Sequence, residues 1–358
     1  MTIIKKHLFA AILLSAMAFL FVSILRDPVE CARCVGETLS TLYKNVLPFL
    51  FPFMVISGIL TALDLMRPLE LTVGRIFPVI YRLPRCVSGA FVLGSLCSFP
   101  VGAVAVTDLY GKNELTKKEA EVAAALASVT GPSFPVAAVG SLMLGNIRTG
   151  WLIYAVQIVI PLILGIPFCR LYIKRKRIPH VFNVKQRPEN PLNVFVETVA
   201  SSSVRCVCVC GTVVFFSLFC DRLISAAGVA GIGKALIYSL FEFSEGCRHS
   251  VVSNGSAAAI CAFAVSFGGL SVAAQSAGIM AKEGLSSSKL ITFKFICGLI
   301  SGMTVYMLTN HFETFGQKAT ALPVSFSGVG SNTIPLITLA AMFSGLAARI
   351  RHLIFKSY

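Results

Sequence analysis

The chain has 358 residues, of which 56% are hydrophobic and 13% are charged, and its formal net charge is +15 at pH 7. A soluble domain carries roughly 25% charged residues, so this composition excludes an ordinary soluble protein and predicts a polytopic membrane protein in a lipid bilayer. The Lys and Arg residues cluster between apolar stretches, which is typical of charges that set membrane topology. Nucleic acid is therefore not an expected partner.

The first apolar stretch, residues 8–25, follows Lys5 and Lys6 and predicts a transmembrane helix within an N-terminal segment 1–30. No signal-peptide cleavage pattern follows it, so we expect an uncleaved helix. A second stretch, residues 45–63, contains two prolines and predicts a kinked span that ends at Asp64. The basic connection that follows begins at Arg67.

Residues 86–107 are uncharged and are interrupted at their middle by the sequence CSFPVGA, which predicts a re-entrant hairpin at about 86–110. Thr116 and Glu119 have the spacing of a capping box, and the helix they begin should unwind at the sequence TGPSF, 130–134. Residues 151–169 predict another span. The segment 170–190 after it is the most basic in the chain and is predicted to be a cytoplasmic loop.

Residues 250–281 form 32 positions without Asp, Glu, Lys or Arg, and Gly268 and Gly269 lie near their centre. One membrane crossing needs about 20 apolar residues, so 32 is too long for one helix and too short for two. This length favours a second re-entrant hairpin at about 250–281, with its turn at the glycine pair.

Four sequence pairs in the same order indicate an internal duplication. Glu37 in ETLSTLYKNV matches Glu197 in ETVASSSVRCV, SFPVGAVAV matches SFGGLSVAA, ELTKKEA matches GLSSSKL, and TGPSF matches SGMTV. We predict a first repeat at 31–190 and a second at 191–358 with opposite orientation. This arrangement leaves Arg349, Arg351 and Lys356 on the external side, against the usual charge bias. The predicted fold is an all-α polytopic membrane protein, an inverted repeat with two re-entrant helical hairpins and about seven transmembrane helices.

Inverted repeats with broken helices are typical of secondary transporters, whose sites form where the breaks meet. We predict substrate-binding residues at the breaks, because half-helix N-termini and hydroxyl groups suit a small anion. Close packing of small residues is the competing interpretation. The candidates at the breaks are Ser98, Phe99, Gly102, Thr130, Gly131, Ser133, Ser266, Phe267, Gly268, Gly269, Ser271 and Ser301.

Three charged residues at membrane depth are also candidates, namely Arg205, Lys294 and Glu242, because such residues tend to be functional. Arg205 and Lys294 have the alternative of reaching the membrane interface, and Glu242 has the alternative of a structural salt bridge. The sequence contains no H-E-x-x-H, P-loop or G-x-S-x-G motif, so we expect neither an enzyme nor a cofactor. The motif formed by Cys31 and Cys34 lacks a second pair, and no metal site is predicted.

The sequences GSLCSFPVGA, LTKKEAE, TGPSF, LFEFSEG and FGGLSV followed by Gln275 resemble motifs of the sporulation integral membrane protein YlbJ family. That family belongs to a group with nucleoside-recognition or gate domains and is similar in plan to concentrative nucleoside transporters. The resemblance covers about residues 35–348. It departs from the family pattern at Val104, and at Ala273 and Ala274, which puts the identity of the solute in question.

The resemblance implies a multi-pass protein of the cell membrane, located in sporulating cells in the mother-cell-derived outer forespore membrane. It implies transport of dipicolinic acid during sporulation, and the nucleoside transporters suggest a homotrimer by analogy. Two alternatives remain open: a non-transporting sporulation scaffold or assembly factor, and a nucleoside-type transporter.

Overall fold

The computed structural model describes residues 2–63, 71–174, 191–251 and 255–311, and every regular element in these ranges is helical. The helices are α1 Thr2–Arg26, α2 Pro28–Thr41, α3 Leu47–Ala62, α4 Ile76–Ile80, α5 Cys86–Cys97, α6 Val101–Gly111, α7 Lys117–Ala127, α8 Ile147–Tyr172, α9 Pro191–Ala227, α10 Gly231–Phe241, α11 Phe243–Ser250, α12 Ala257–Phe267, α13 Gly269–Lys282 and α14 Ser288–His311. A π-helical turn, Leu42–Val46, joins α2 to α3, and the π-helix Ser133–Met143 follows α7. The all-α prediction is confirmed for these ranges.

Some features of the sequence lie outside the described residues. They are Asp64 and Arg67, the basic segment 175–190, and the C-terminal cations Arg349, Arg351 and Lys356.

Four described stretches are long and apolar enough to cross a membrane: Ile147–Tyr172, Leu192–Ala227, Ala257–Lys282 and Ser288–His311. Their hydropathy and length agree with the composition, and together they identify a membrane protein.

Polar contacts mark two opposite ends of the helices. At the first, which we call the Glu121 end, the Glu121 carboxylate binds the Lys289 ammonium and accepts a hydrogen bond of 3.0 Å from the Ser286 amide. Lys289 Nζ also lies 5.1 Å from the centre of the Tyr172 ring, so α7 and α14 begin, and α8 ends, at this end. The other end, which we call the Asp221 end, lies near the C-terminus of α9.

Helices α5 and α6 form a hairpin with its turn at residues 98–100. Ser98 reverses the chain with φ 70° and ψ 171°, and its carbonyl accepts a hydrogen bond of 3.1 Å from the Val101 amide. Gly94 of α5 and Gly102 of α6 both abut the carbonyl oxygen of Ala127, the last residue of α7. The hairpin therefore lies against the point where α7 ends.

The helix that begins at Lys117 is interrupted at residues 128–132 and then continues as the π-helix Ser133–Met143. Its start has the predicted capping box, in which Thr116 and Glu119 exchange hydrogen bonds. The interruption follows from Gly131 and Pro132, because proline removes a backbone donor and disfavours a helical residue before it.

The second hairpin is formed by α10 and α11, with Glu242 at its turn. A Cβ atom added to Gly246 of α11 would lie 2.7 Å from the amide nitrogen of Ser239 in α10. The Tyr238 and His249 rings are stacked, with their centres 4.5 Å apart. These contacts place the two helices side by side and antiparallel.

The prediction of a re-entrant hairpin at about 250–281 is wrong, because α12 and α13 lie end to end across the fold. Cys261 of α12 approaches Cys247 in the second hairpin, at a distance of 4.0 Å from its carbonyl oxygen. Ser286, just after α13, reaches Glu121 at the opposite end. Gly268 and Gly269 have φ values of +83° and +72°, and these left-handed residues interrupt the helix without reversing it.

Candidate functional site

Residues at two hairpin turns and just after one helix break line one small cavity, which we call the inner pocket. The hairpin turns contribute Ser98, Phe99 and Glu242, and the π-helix after the break at 128–132 contributes Ser133. The remaining wall residues are Leu42, Val46, Leu50, Phe53, Cys97, Phe134, Val209, Val213, Phe243, Ser244, Val272 and Gln275. The cavity volume is about 50 Å³. Small-molecule sites commonly have about 300–1,000 Å³, so the inner pocket is closed in this conformation.

Three phenylalanine rings fill most of the space between the interruptions. Phe243 lies edge-on to Phe134 at a centre-to-centre distance of 4.9 Å and edge-on to Phe99 at 6.3 Å. Rotation of these rings would be the smallest change that enlarges the pocket. A ring-shaped solute would find aromatic faces and edges here.

Gln157 of α8 satisfies the backbone that the break at 128–132 leaves free. Its side-chain oxygen accepts a hydrogen bond of 3.2 Å from the Thr130 amide, and its nitrogen donates one of 2.5 Å to the Thr130 carbonyl. The Thr130 hydroxyl donates to the carbonyl of Val265 in α12 at 3.1 Å. Thr130 and Gln157 are fully buried. Thr130 therefore joins the two broken helices and does not line the inner pocket.

Glu242 lies at the turn of the second hairpin and caps α11. Its Oε2 atom accepts hydrogen bonds from the Ser244 hydroxyl at 2.5 Å and the Glu245 amide at 2.9 Å. Its Oε1 atom is buried and has no hydrogen-bond partner in the described part of the chain. Glu242 is a wall residue of the inner pocket, and its carboxyl group thus has one oxygen that no described residue compensates.

The glycine pair packs closely against both hairpin turns. A Cβ atom on Gly268 would lie 3.3 Å from the Phe99 ring, and one on Gly269 would lie 3.0 Å from the carbonyl oxygen of Phe241. Both positions also have positive φ, so a side chain at either is disfavoured by conformation and by space.

Lys294 lies behind Phe99 and not in the wall of the pocket. Its Nζ atom is 5.5 Å from the centre of the Phe99 ring, its side chain is 1% exposed, and no described residue accepts a hydrogen bond from it. A cation over an aromatic face is stabilised by the ring, but an unpaired ammonium at this depth remains costly.

Arg205 lines a second cavity, which we call the vestibule, of about 750 Å³ at the Glu121 end. The charged residues around it are Asp108, Lys112, Arg205, Lys282 and Glu283. Among the described residues, Val209 and Gln275 alone line both the vestibule and the inner pocket. The two cavities are therefore separated by one layer of side chains.

The other residues predicted from the sequence pack against the breaks and hairpin turns, or lie within continuous helices. Gly102 abuts Ala127, and Gly131 abuts the first hairpin turn. Phe267 packs on Gly298 of α14. Ser266, Ser271 and Ser301 are buried outside the wall of the inner pocket, and their hydroxyl groups have no hydrogen-bond partner among the described residues. Ser301 lies within the uninterrupted helix α14, so the expected break at the sequence SGMTV is absent.

Sequence reasoning missed Gln157, Phe243, Ser244 and Gln275. Gln157 had a detectable signal, because it is an isolated amide in a long uncharged apolar stretch. Ser244 lies two residues after Glu242 in the sequence LFEFSEG, where an acidic residue three positions before another indicates a helix N-cap.

The Asp221 end is closed by a group of ionic and aromatic contacts. Arg222 of α9 pairs with Asp221 at 2.5 Å and with Asp27, between α1 and α2, at 3.3 Å. Tyr238 of the second hairpin donates a hydrogen bond of 3.1 Å to Asp221. These contacts fix the second hairpin to α9 and to the α1–α2 corner.

One curated relative gives a weak match along most of the chain. It is the sporulation integral membrane protein YlbJ of Bacillus subtilis (strain 168), 24% identical over 337 residues, with 83% of this chain and 82% of the relative covered. No family model matches the chain, and no solved structure matches it. The chain is thus similar to a sporulation membrane protein.

Proposed function

We propose that this chain is a secondary transporter of a small organic anion in sporulation, with dipicolinate as the solute. The observation that carries the proposal is the inner pocket, where two hairpin turns and two helix breaks converge. Transporters commonly bind their solutes at such a convergence of discontinuous helices. Similarity to a sporulation membrane protein supports the biological setting.

The order of the described elements supports an inverted repeat. The hairpin α5–α6, the broken helix from Lys117 to Met143 and the helix α8 correspond to the hairpin α10–α11, the broken helix α12–α13 and the helix α14. The first set begins at the Glu121 end and the second at the Asp221 end. This pairing relates Ser98 to Glu242 and the break at 128–132 to Gly268, which differs from the pairing of sequence motifs above.

Helix N-termini supply the affinity for an anion. Helices α6 and α13 and the π-helix Ser133–Met143 begin at the centre of the fold, where the positive ends of their dipoles favour negative charge, whereas the N-terminus of α11 is already capped by Glu242. Ser98 and Ser133 add hydroxyl donors, and Phe99, Phe134 and Phe243 suit a planar ring. Lys294 would pair with a carboxylate after Phe99 rotates.

The basic vestibule sets the direction of access. Its three cations outnumber its two carboxylates, and this excess positive charge would attract an anion before it reaches the inner pocket. We place the Glu121 end in the cytoplasm, because the basic segment 170–190 follows α8 at that end. We further propose that the chain lies in the outer forespore membrane and takes its solute from the mother cell.

The direct experiment is uptake of radiolabelled dipicolinate into proteoliposomes that contain the purified protein, under imposed proton and sodium gradients. Uptake above the rate of empty liposomes is the expected result. Uptake at the empty-liposome rate under every gradient would contradict the proposal. A scaffold that does not transport would give that outcome and would also tolerate a folded Gly268→Leu variant in sporulating cells.

The bare Oε1 atom of Glu242 favours a nucleoside as the second candidate solute, because a carboxylate oxygen accepts hydrogen bonds from ribose hydroxyls. Competition separates the two solutes. Unlabelled nucleosides should leave dipicolinate uptake unchanged if the pocket is built for the dicarboxylate, and should abolish it if the pocket prefers nucleosides.

A further inference from the structure

Glu242 carries one oxygen that nothing in the described protein compensates. The side chain is fully buried, Oε2 already accepts two hydrogen bonds, and Oε1 accepts none. Buried polar atoms are almost always paired, so an orphaned oxygen in the wall of a cavity calls for a partner that the described residues do not supply.

The charged and titratable groups that face Glu242 do not provide a counter-cation. Glu245 lies on its own hairpin and adds negative charge, while Cys220 of α9 and Cys247 of α11 are the other neighbouring titratable groups. Arg248 and His249 face Glu245, at distances of 2.6 and 3.8 Å. From α13, the glycine Gly269 approaches the backbone of Glu242. An ionised Glu242 would therefore be a buried charge without a partner, which is costly.

A proton is the partner that this geometry fits. It needs one oxygen atom, whereas a metal ion is held by several ligands, and the described residues contain no group of three or more His, Cys, Asp or Glu side chains placed for a metal. Protonation removes the charge and turns Oε1 into a donor. A donor at this position would complete the set of hydroxyls and helix N-termini around a carboxylate.

We infer that Glu242 binds the proton that drives transport, so that one proton crosses with each anion. This inference rests on the proposed function and names its driving ion. On the loading side a proton from water bonds to Oε1, and the resulting hydroxyl donates a hydrogen bond to a carboxylate of the solute. On the opposite side the O–H bond breaks, the proton returns to water and the solute leaves.

The test compares wild type with Glu242→Gln in proteoliposomes whose membrane potential is clamped at zero. For one proton per solute, each unit of pH difference should accumulate dipicolinate about tenfold, because a tenfold ratio corresponds to about 1.4 kcal/mol. Glu242→Gln should exchange internal for external dipicolinate at equal pH but should not accumulate it. Glu37→Gln, an exposed glutamate of α2 outside both cavities, should behave as wild type.

Two outcomes overturn the proton assignment while leaving transport intact. In one, Glu242→Gln accumulates dipicolinate under a pH gradient as wild type does. In the other, a sodium gradient, and not a pH gradient, drives the wild type. Absence of dipicolinate exchange in the wild type would instead contradict the proposed function.

Infrared spectroscopy tests the proton site without any solute. The purified wild type should show a protonated carboxylic-acid band that titrates with pH and is missing from Glu242→Gln, while Glu37→Gln retains it. Identical spectra for wild type and Glu242→Gln between pH 5 and 8 would overturn the assignment. If Glu242→Gln does not fold, Ser244→Ala serves, because it removes a hydrogen bond to the Glu242 carboxylate and should change the carboxylic-acid band.

Discussion

Replacement of Gly131 by alanine tests the contact between the first helix break and the first hairpin. A Cβ atom at this position would lie 2.7 Å from the carbonyl oxygen of Leu96 and 3.0 Å from the amide nitrogen of Ser98. Both atoms belong to backbone, so side-chain rotation cannot relieve the clash. The hairpin turn must move by roughly half an ångström or more to restore ordinary contact distances of about 3.5 Å.

The expected cost follows from two opposing effects. Overpacking of a tight core contact costs about 1–3 kcal/mol. Replacing glycine by alanine also restricts the unfolded chain and returns about 0.4–1 kcal/mol. We therefore expect Gly131→Ala to lower the free energy of unfolding by about 1–2 kcal/mol, and to displace Ser98 from the inner pocket.

Thermal unfolding of the purified protein in detergent measures the loss, with Gly211→Ala as the matched control. Gly211 lies within α9, and a Cβ atom there would meet nothing within 4 Å. That variant should be as stable as wild type or more stable, because alanine favours helix. Equal midpoints for Gly131→Ala and Gly211→Ala would refute the close contact between break and hairpin.

Two further predictions concern buried polar contacts. Gln157→Leu should lower the free energy of unfolding by about 1–3 kcal/mol, because it leaves the Thr130 amide and carbonyl buried without partners. Gln157→Glu should restore only the hydrogen bond from the Thr130 amide. A Gln157→Leu unfolding midpoint equal to that of wild type would contradict this account. Glu121→Gln should also lower the free energy of unfolding, by about 1–3 kcal/mol, because it removes the negative charge that pairs with the Lys289 ammonium, and chemical unfolding beside the exposed control Glu283→Gln measures the difference. Equal loss in Glu121→Gln and Glu283→Gln would count against a specific ion pair.

The sequence located the breaks that contain proline or glycine, because these residues act on the backbone directly. Pro100 lies in the first hairpin turn, and Gly131 and Pro132 lie in the first broken helix, so composition alone marked both positions. At Gly268 the position of the break could be predicted, but its direction could not. Whether two helices fold back or continue depends on tertiary contacts, here those of Gly268 with Phe99 and of Gly269 with Phe241.

The hairpin turn at Glu242 was harder to predict as a turn, because neither glycine nor proline forms it. The chain reverses there through a side-chain cap, in which the carboxylate binds the first turn of the following helix. In the sequence, such a cap predicts only the start of a helix and not a reversal of the chain. The identity of Glu242 as a candidate came from its charge at membrane depth, and its one unpartnered oxygen required the structure.

The single layer formed by Val209 and Gln275 has a consequence for leakage. Between the vestibule and the inner pocket, the barrier to small ions is a single layer of side chains. A thick barrier tolerates the loss of several methyl groups, whereas a layer of this kind does not. Trimming Val209 to glycine would leave the fold largely in place and give water a continuous path to the centre of the protein.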